Sequence, residues 1–118
     1  MKKFLACFVA LGAFVAWSHA DSAPSSQVTL KGEVVDMACY LDHGAHGEKH
    51  AACAAKCIRS GLPVGLKAED GKTYFLIGAH KPINDQLADL AGKTISVHGK
   101  VATRDGINLL ENAEIVKD

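Results

Sequence analysis

The chain has 118 residues, 48% hydrophobic and 22% charged, with 13 basic residues balancing 13 acidic ones. That length suits one domain of modest core and not two. The balanced charge, with no basic cluster, excludes the electrostatic footprint of nucleic-acid or anionic-membrane binding. Four cysteines and six histidines in so short a chain direct attention to metal or thiol chemistry.

The first segment reads as a secretory signal peptide: Lys2 and Lys3, an apolar run from Phe4 to Trp17, then Ser18-His19-Ala20, a small-x-small triplet before polar Asp21. The run is shorter than the roughly 20 residues a membrane-spanning helix needs, so cleavage after Ala20 is expected, with no stable membrane insertion afterwards. Export places the remainder, residues 21–118, in the periplasm or outside the cell. Cys7 leaves with the signal, and Cys39, Cys53 and Cys57 remain. Residues 21–26 read as a loose polar tail, and residues 27–118 as a single domain.

Val28, Leu30, Val34 and Val35 alternate around Gly32 and predict a first strand, bent or bulged at the glycine, with Cys39 just past its end. Leu41 to Gly47 reads as a flexible glycine- and histidine-bearing loop. Glu48 to Ser60 is alanine-rich, acidic early and basic late at Lys56 and Arg59, with Gly61 and Pro63 behind it: a helix with its charges matched to its dipole. Val64–Lys67 and Thr73–Ile77 read as a hairpin turning at Glu69-Asp70-Gly71. Pro82 to Ala91 reads as a short helix with Asn84 as its N-cap and Gly92 as its terminator. Thr94–Ala102 and the stretch carrying Ile107, Leu109 and Ile115 form a second hairpin around Arg104-Asp105-Gly106. Three strands, a helix and two strands predict a mainly β fold: a five-stranded Greek-key barrel of the oligonucleotide/oligosaccharide-binding (OB) type, with a Cys/His-bearing insert at residues 39–61 after the first strand. An open α+β sheet is the alternative.

The run Gly92-Lys93-Thr94-Ile95-Ser96-Val97-His98-Gly99-Lys100-Val101 with Asp105-Gly106 resembles the last hairpin of small exported bacterial OB-fold-like proteins. The pattern Cys39-Tyr40-Leu41, His50-x-x-Cys53-Ala54-x-x-Cys57, Gly61-Leu62-Pro63-x-Gly65 is similar to that of a group of such proteins. The resemblance implies the fold and no activity, so function has to be argued from the side chains.

His43, His46, His50, Cys53 and Cys57 follow one another at intervals of three, four, three and four residues. At about 3.6 residues per turn, His50, Cys53 and Cys57 share one stripe of the predicted helix, facing the segment that bears Cys39. Ala51, Ala54, Ala55 and Ile58 make the neighbouring apolar stripe. Cys39, His50, Cys53 and Cys57 are therefore the candidate metal ligands, a three-thiolate, one-imidazole set suited to zinc or to reduced copper. His43 and His46, with Met37, form a secondary set. The compartment puts copper ahead of zinc, with another periplasmic metalloprotein as a partner for delivery, and an iron–sulfur cluster is a further option. The spacing between Cys53 and Cys57 resembles that of the Sco copper-assembly proteins and binuclear copper domains. His50 precedes the cysteines where those proteins place their histidine after them, so no residue roles carry over.

Two other classes stay open. Exported cysteines commonly pair, and Cys39 could bridge to Cys53 or Cys57, leaving one spare thiol in a disulfide-braced ligand-binding module. A thiol–disulfide redox protein would need Cys53 activated near the helix start, with Cys57 or Cys39 resolving it. His80 and His98 read as surface residues, and Tyr40, Tyr74 and Phe75 as packing residues more than as a ligand face. No Ser/His/Asp set, phosphate loop or paired carboxylates support an enzyme.

Overall fold

The structure is a computed structural model and describes residues 26–117. The proposed signal peptide and residues 21–25 of the expected tail lie outside the described residues. Five strands, β1 (Gln27–Asp36), β2 (Val64–Ala68), β3 (Thr73–Leu76), β4 (Thr94–Arg104) and β5 (Ile107–Val116), close into a barrel in the order β1-β2-β3-β5-β4. All ladders are antiparallel except β3 with β5, where Phe75 faces Leu109 and Leu76 faces Leu110. This is the OB-type barrel that the order of elements predicts, and the open sheet is excluded.

Strand β1 closes the barrel by serving two neighbours. Its first part pairs with β4, with Leu30 opposite Val97, and its second part pairs with β2, ending with Asp36 opposite Val64. The change of partner occurs at Gly32, where a Cβ would lie 2.4 Å from the Lys67 carbonyl oxygen, so only glycine lets the strands approach there. Both expected hairpins form. The second uses Asp105 (φ 52) and Gly106 (φ 79) as a two-residue turn with both residues left-handed, the geometry that suits the strands' twist.

Val34, Leu66, Leu76, Val97 and Leu110 fill the interior, and Tyr74 is buried with them. Two helical elements add to this core. From α2 (Ala51–Arg59), Ile58 is fully buried while Ala54 and Ala55 pack at the margin, as the apolar stripe predicts. From α3 (Asn84–Leu87), which continues as a 3₁₀ turn over Ala88–Leu90, Leu87 is fully buried. Burying a side chain such as Ile58 contributes about 1.5–3 kcal/mol, enough to fix a helix of this length against the barrel.

Three local expectations are corrected. First, the segment after β1 is helical: α1 spans Met37–His43. Asp36 caps it by accepting from the Cys39 backbone N–H at 3.0 Å, and Gly44, left-handed at φ 71, ends it with its N–H donated to the Tyr40 carbonyl at 2.9 Å. Second, the helix expected from Glu48 to Ser60 starts as a 3₁₀ turn over Glu48–His50 and becomes α-helical only at Ala51. Its end is as predicted. Gly61, at φ 101, donates to the Ile58 carbonyl and Leu62 to the Cys57 carbonyl, the paired bonds of a Schellman motif. Third, Asn84 does not cap its own helix, whose N-cap position is Ile83. Its side-chain amide instead donates to the carbonyls of Ile58 at 2.9 Å and Leu62 at 2.7 Å, supporting the end of α2.

Candidate metal centre

Two consecutive elements bring the sulfurs together. Strand β1 ends at Asp36 beside β2, and α1 turns the chain so that Cys39 stands one turn beyond. Helix α2 returns past the same place with Cys53 and Cys57 one turn apart. The ligand-capable atoms of Asp36, Cys39 and Cys57 all lie within 4.8 Å of one another. Asp36 is only 1% exposed, Cys39 and Cys57 are half-buried, and Cys53 is exposed. Cys53 lies outside the three-residue group but close enough to Cys57 for their thiols to interact.

Asp36 was not among the ligands anticipated from sequence, and it is the residue on which the cluster turns. One carboxylate oxygen, Oδ2, caps α1. The other, Oδ1, is buried and has no hydrogen-bond partner among the described residues. A buried carboxylate oxygen left unpaired costs on the order of 1–3 kcal/mol, so a cation or a donor group is the partner this position calls for. The sequence does carry a signal for Asp36: an aspartate at the boundary of a strand and a short apolar segment is a helix N-cap signature.

The thiols respond to the same crowding. The Cys39 thiol, in hydrogen-bonding contact with the Asp36 carboxylate first of all and then partly desolvated, is pushed up from 9.0 to about 12. Cys57 is raised as well, by desolvation first and then by Cys53 and Asp36. These neighbours would all become anionic together, so the cluster favours protons or a metal cation over free thiolates. An activated thiolate nucleophile has the opposite surroundings, electropositive and stabilising the anion. Arg59, at the end of α2, is paired with Asp89.

The histidines are placed elsewhere. His50 is exposed and, with His46, borders a small crevice shared with Glu33, Val34, Ala45 and Gly47. Neither belongs to the Asp36–Cys39–Cys57 group. His46 donates from Nδ1 to the Gly44 carbonyl at 2.8 Å and meets Tyr40 edge-on, with ring centroids 6.2 Å apart. His43 is exposed beside Asp42, its Nδ1 3.2 Å from the carboxylate. The Met37 sulfur is directed at Gly65, inside the protein. His98 is hydrogen-bonded with Thr29 across the β1–β4 ladder. Glu33 fixes the intervening loop by accepting from the Gly47 backbone N–H.

The group is thus two thiols and a carboxylate held together, with a third thiol at the solvent edge. Such a group can coordinate a metal ion, and the nearness of Cys39 to Cys57 also allows their oxidation to a disulfide. Comparison with protein-family models, curated proteins and solved structures gives no match for this chain.

Proposed function

We propose that this domain binds a thiophilic metal ion through Asp36, Cys39 and Cys57, with Cys53 as the fourth donor, and that it does so as an exported metal-handling protein. One observation carries the reading: a buried carboxylate oxygen with no partner stands against two sulfurs. A disulfide between Cys39 and Cys57 would consume the thiols and leave Asp36 Oδ1 without a counter-charge. A cation answers both needs at once.

The carboxylate also bears on which ion. Reduced copper prefers sulfur and imidazole, whereas zinc accepts thiolate and carboxylate oxygen in one tetrahedral site. The donor set therefore favours Zn²⁺, while export to a compartment where copper is handled keeps Cu⁺ as the competitor. His50 and His46, on the neighbouring crevice, are reserved for an outer role in this reading. Because Cys53 is exposed, the site is open on one side, which suits exchange of the ion better than permanent structural use.

Elemental analysis with thiol counting, on protein purified without oxygen and then titrated separately with Zn²⁺ and Cu⁺, tests the proposal. About one equivalent of metal, lost in Cys57→Ser, is expected. Absence of binding with either ion, together with a single titratable thiol, would overturn it in favour of a disulfide-braced module.

A further inference from the structure

The four donors differ in how firmly the fold holds them. Asp36 is locked by the β1–β2 ladder, opposite Val64, and by its own bond to the Cys39 N–H. Cys57 sits beside fully buried Ile58, and its carbonyl is taken up by the turn that ends α2 and by the Ser60 hydroxyl at 2.6 Å. Cys53 has neither support. It lies in the first turn of α2, where His50 occupies the N-cap position and supplies no side-chain hydrogen bond. A helix start without a side-chain cap opens at lower cost, and here only the 3₁₀ turn leads into it, with the Ala51 N–H donated to the Glu48 carbonyl. Exposure follows the same order, from Asp36 through half-buried Cys39 and Cys57 to exposed Cys53.

We infer that Cys53 is the exchange ligand of this site: the metal enters and leaves on its side, by replacement of the Cys53 sulfur with the sulfur of a thiol-bearing partner. The inference rests on the metal-binding reading above and adds to it the direction of transfer and the chemistry of the acceptor. In the step, the bond from the metal to the Cys53 sulfur breaks as a bond to the partner's sulfur forms. The partner's thiol proton passes to Cys53, and the oxidation state of the ion is unchanged. Asp36, Cys39 and Cys57 keep hold until the partner has supplied further donors. Leaving through the carboxylate side is closed, because Asp36 is buried at the end of the ladder.

The test uses the purified, zinc-loaded protein. After metal content is measured, limiting N-ethylmaleimide is added and each cysteine is quantified by peptide mass spectrometry. Cys53 should be modified at least about tenfold faster than Cys39 or Cys57, with the zinc retained. In a second arm, a small monothiol should accelerate zinc transfer to a chromophoric chelator, and prior blocking of Cys53, which vacates the same position, should raise the thiol-free transfer rate toward the thiol-assisted one. Equal modification of the three cysteines, or a thiol-free transfer rate that the block leaves unchanged, would overturn the inference while leaving the metal site intact. A chain that takes up no zinc at the outset fails at the metal reading itself, before either arm begins.

Discussion

Replacing Asp36 with asparagine separates a metal ligand from a helix cap. The substitution is nearly isosteric, and the asparagine oxygen can still accept from the Cys39 N–H, so the start of α1 should be preserved; Asn and Asp are equivalent N-caps within a few tenths of a kcal/mol. What is lost is the negative charge whose Oδ1 has no partner. Without metal, the variant should stay within about 1 kcal/mol of the parent, since the asparagine oxygen keeps the cap and its amide N–H groups take the unpartnered position beside the two sulfurs. With zinc the two differ. Loss of an anionic donor should weaken binding by at least about a hundredfold, more than the loss of an outer hydrogen-bond partner brings. At a free zinc concentration about 100 times the parent's Kd, the parent gains about 2.7 kcal/mol and a variant weakened a hundredfold gains only about 0.4 kcal/mol. Urea unfolding with and without zinc, beside a chelator competition, measures both quantities. A variant destabilised by more than about 1 kcal/mol without metal, yet unchanged in zinc affinity, would refute the reasoning and reduce Asp36 to a cap.

Four further outcomes are expected. Asn84→Ala removes the two bonds to the Ile58 and Leu62 carbonyls and should cost about 1–2 kcal/mol in urea unfolding, with weaker zinc binding because the end of α2 carries Cys57. Gly65→Ala would place a Cβ 2.1 Å from the Met37 sulfur and 2.8 Å from the Tyr74 carbonyl oxygen, so a loss of about 2–3 kcal/mol should show in thermal or urea unfolding. The metal-free protein should be indifferent to the Cys39 thiol below about pH 9 and lose stability as pH climbs from 9.0 toward about 12, because the folded chain disfavours a thiolate that the unfolded chain tolerates. Zinc affinity should run the other way, rising about tenfold per pH unit for each proton displaced as pH increases through the neutral range, which a chelator competition at several pH values reads directly.

Much of the barrel was legible because its signals are local. Alternation marks the strands, Asp105-Gly106 marks a tight hairpin, and Gly61 with Pro63 marks the end of α2. Gly32 marks the close approach of β1 to β2. The site was only half legible, because convergence depends on helical phase. His50 shares a face with Cys53 and Cys57 only if one continuous α-helix runs through all three, and a 3₁₀ turn of about three residues per turn over Glu48–His50 breaks that phase. The helix α1 was hidden by its glycine- and histidine-rich surroundings, although Asp36 is the capping residue that announces it. Asn84 shows the reverse case. Its type suits an N-cap, but tertiary contact with the end of α2 outweighs the local rule.

Asp36 ties the candidate site to the barrel itself. It is the last residue of β1, opposite Val64, and Val64 begins the strand that follows Pro63 at the end of the insert. Met37 donates its N–H to the Pro63 carbonyl at 2.9 Å, so the two ends of the insert are pinned together one residue beyond the ladder. A metal held by Asp36, Cys39 and Cys57 would cross-link the start of this loop to the helix near its end, on the same edge. The unfolded chain would have to close a loop of about 20 residues to form that link, so a cross-link there stabilises the fold by restricting the unfolded state. Metal loading should therefore protect the backbone amides of α1 and α2 from hydrogen exchange while leaving β3 and β5, the two strands that do not pair with β1, unchanged. Uniform protection across both regions would mean that zinc acts only by raising global stability, and equal exchange in both states would mean that the cysteines do not grip it at all.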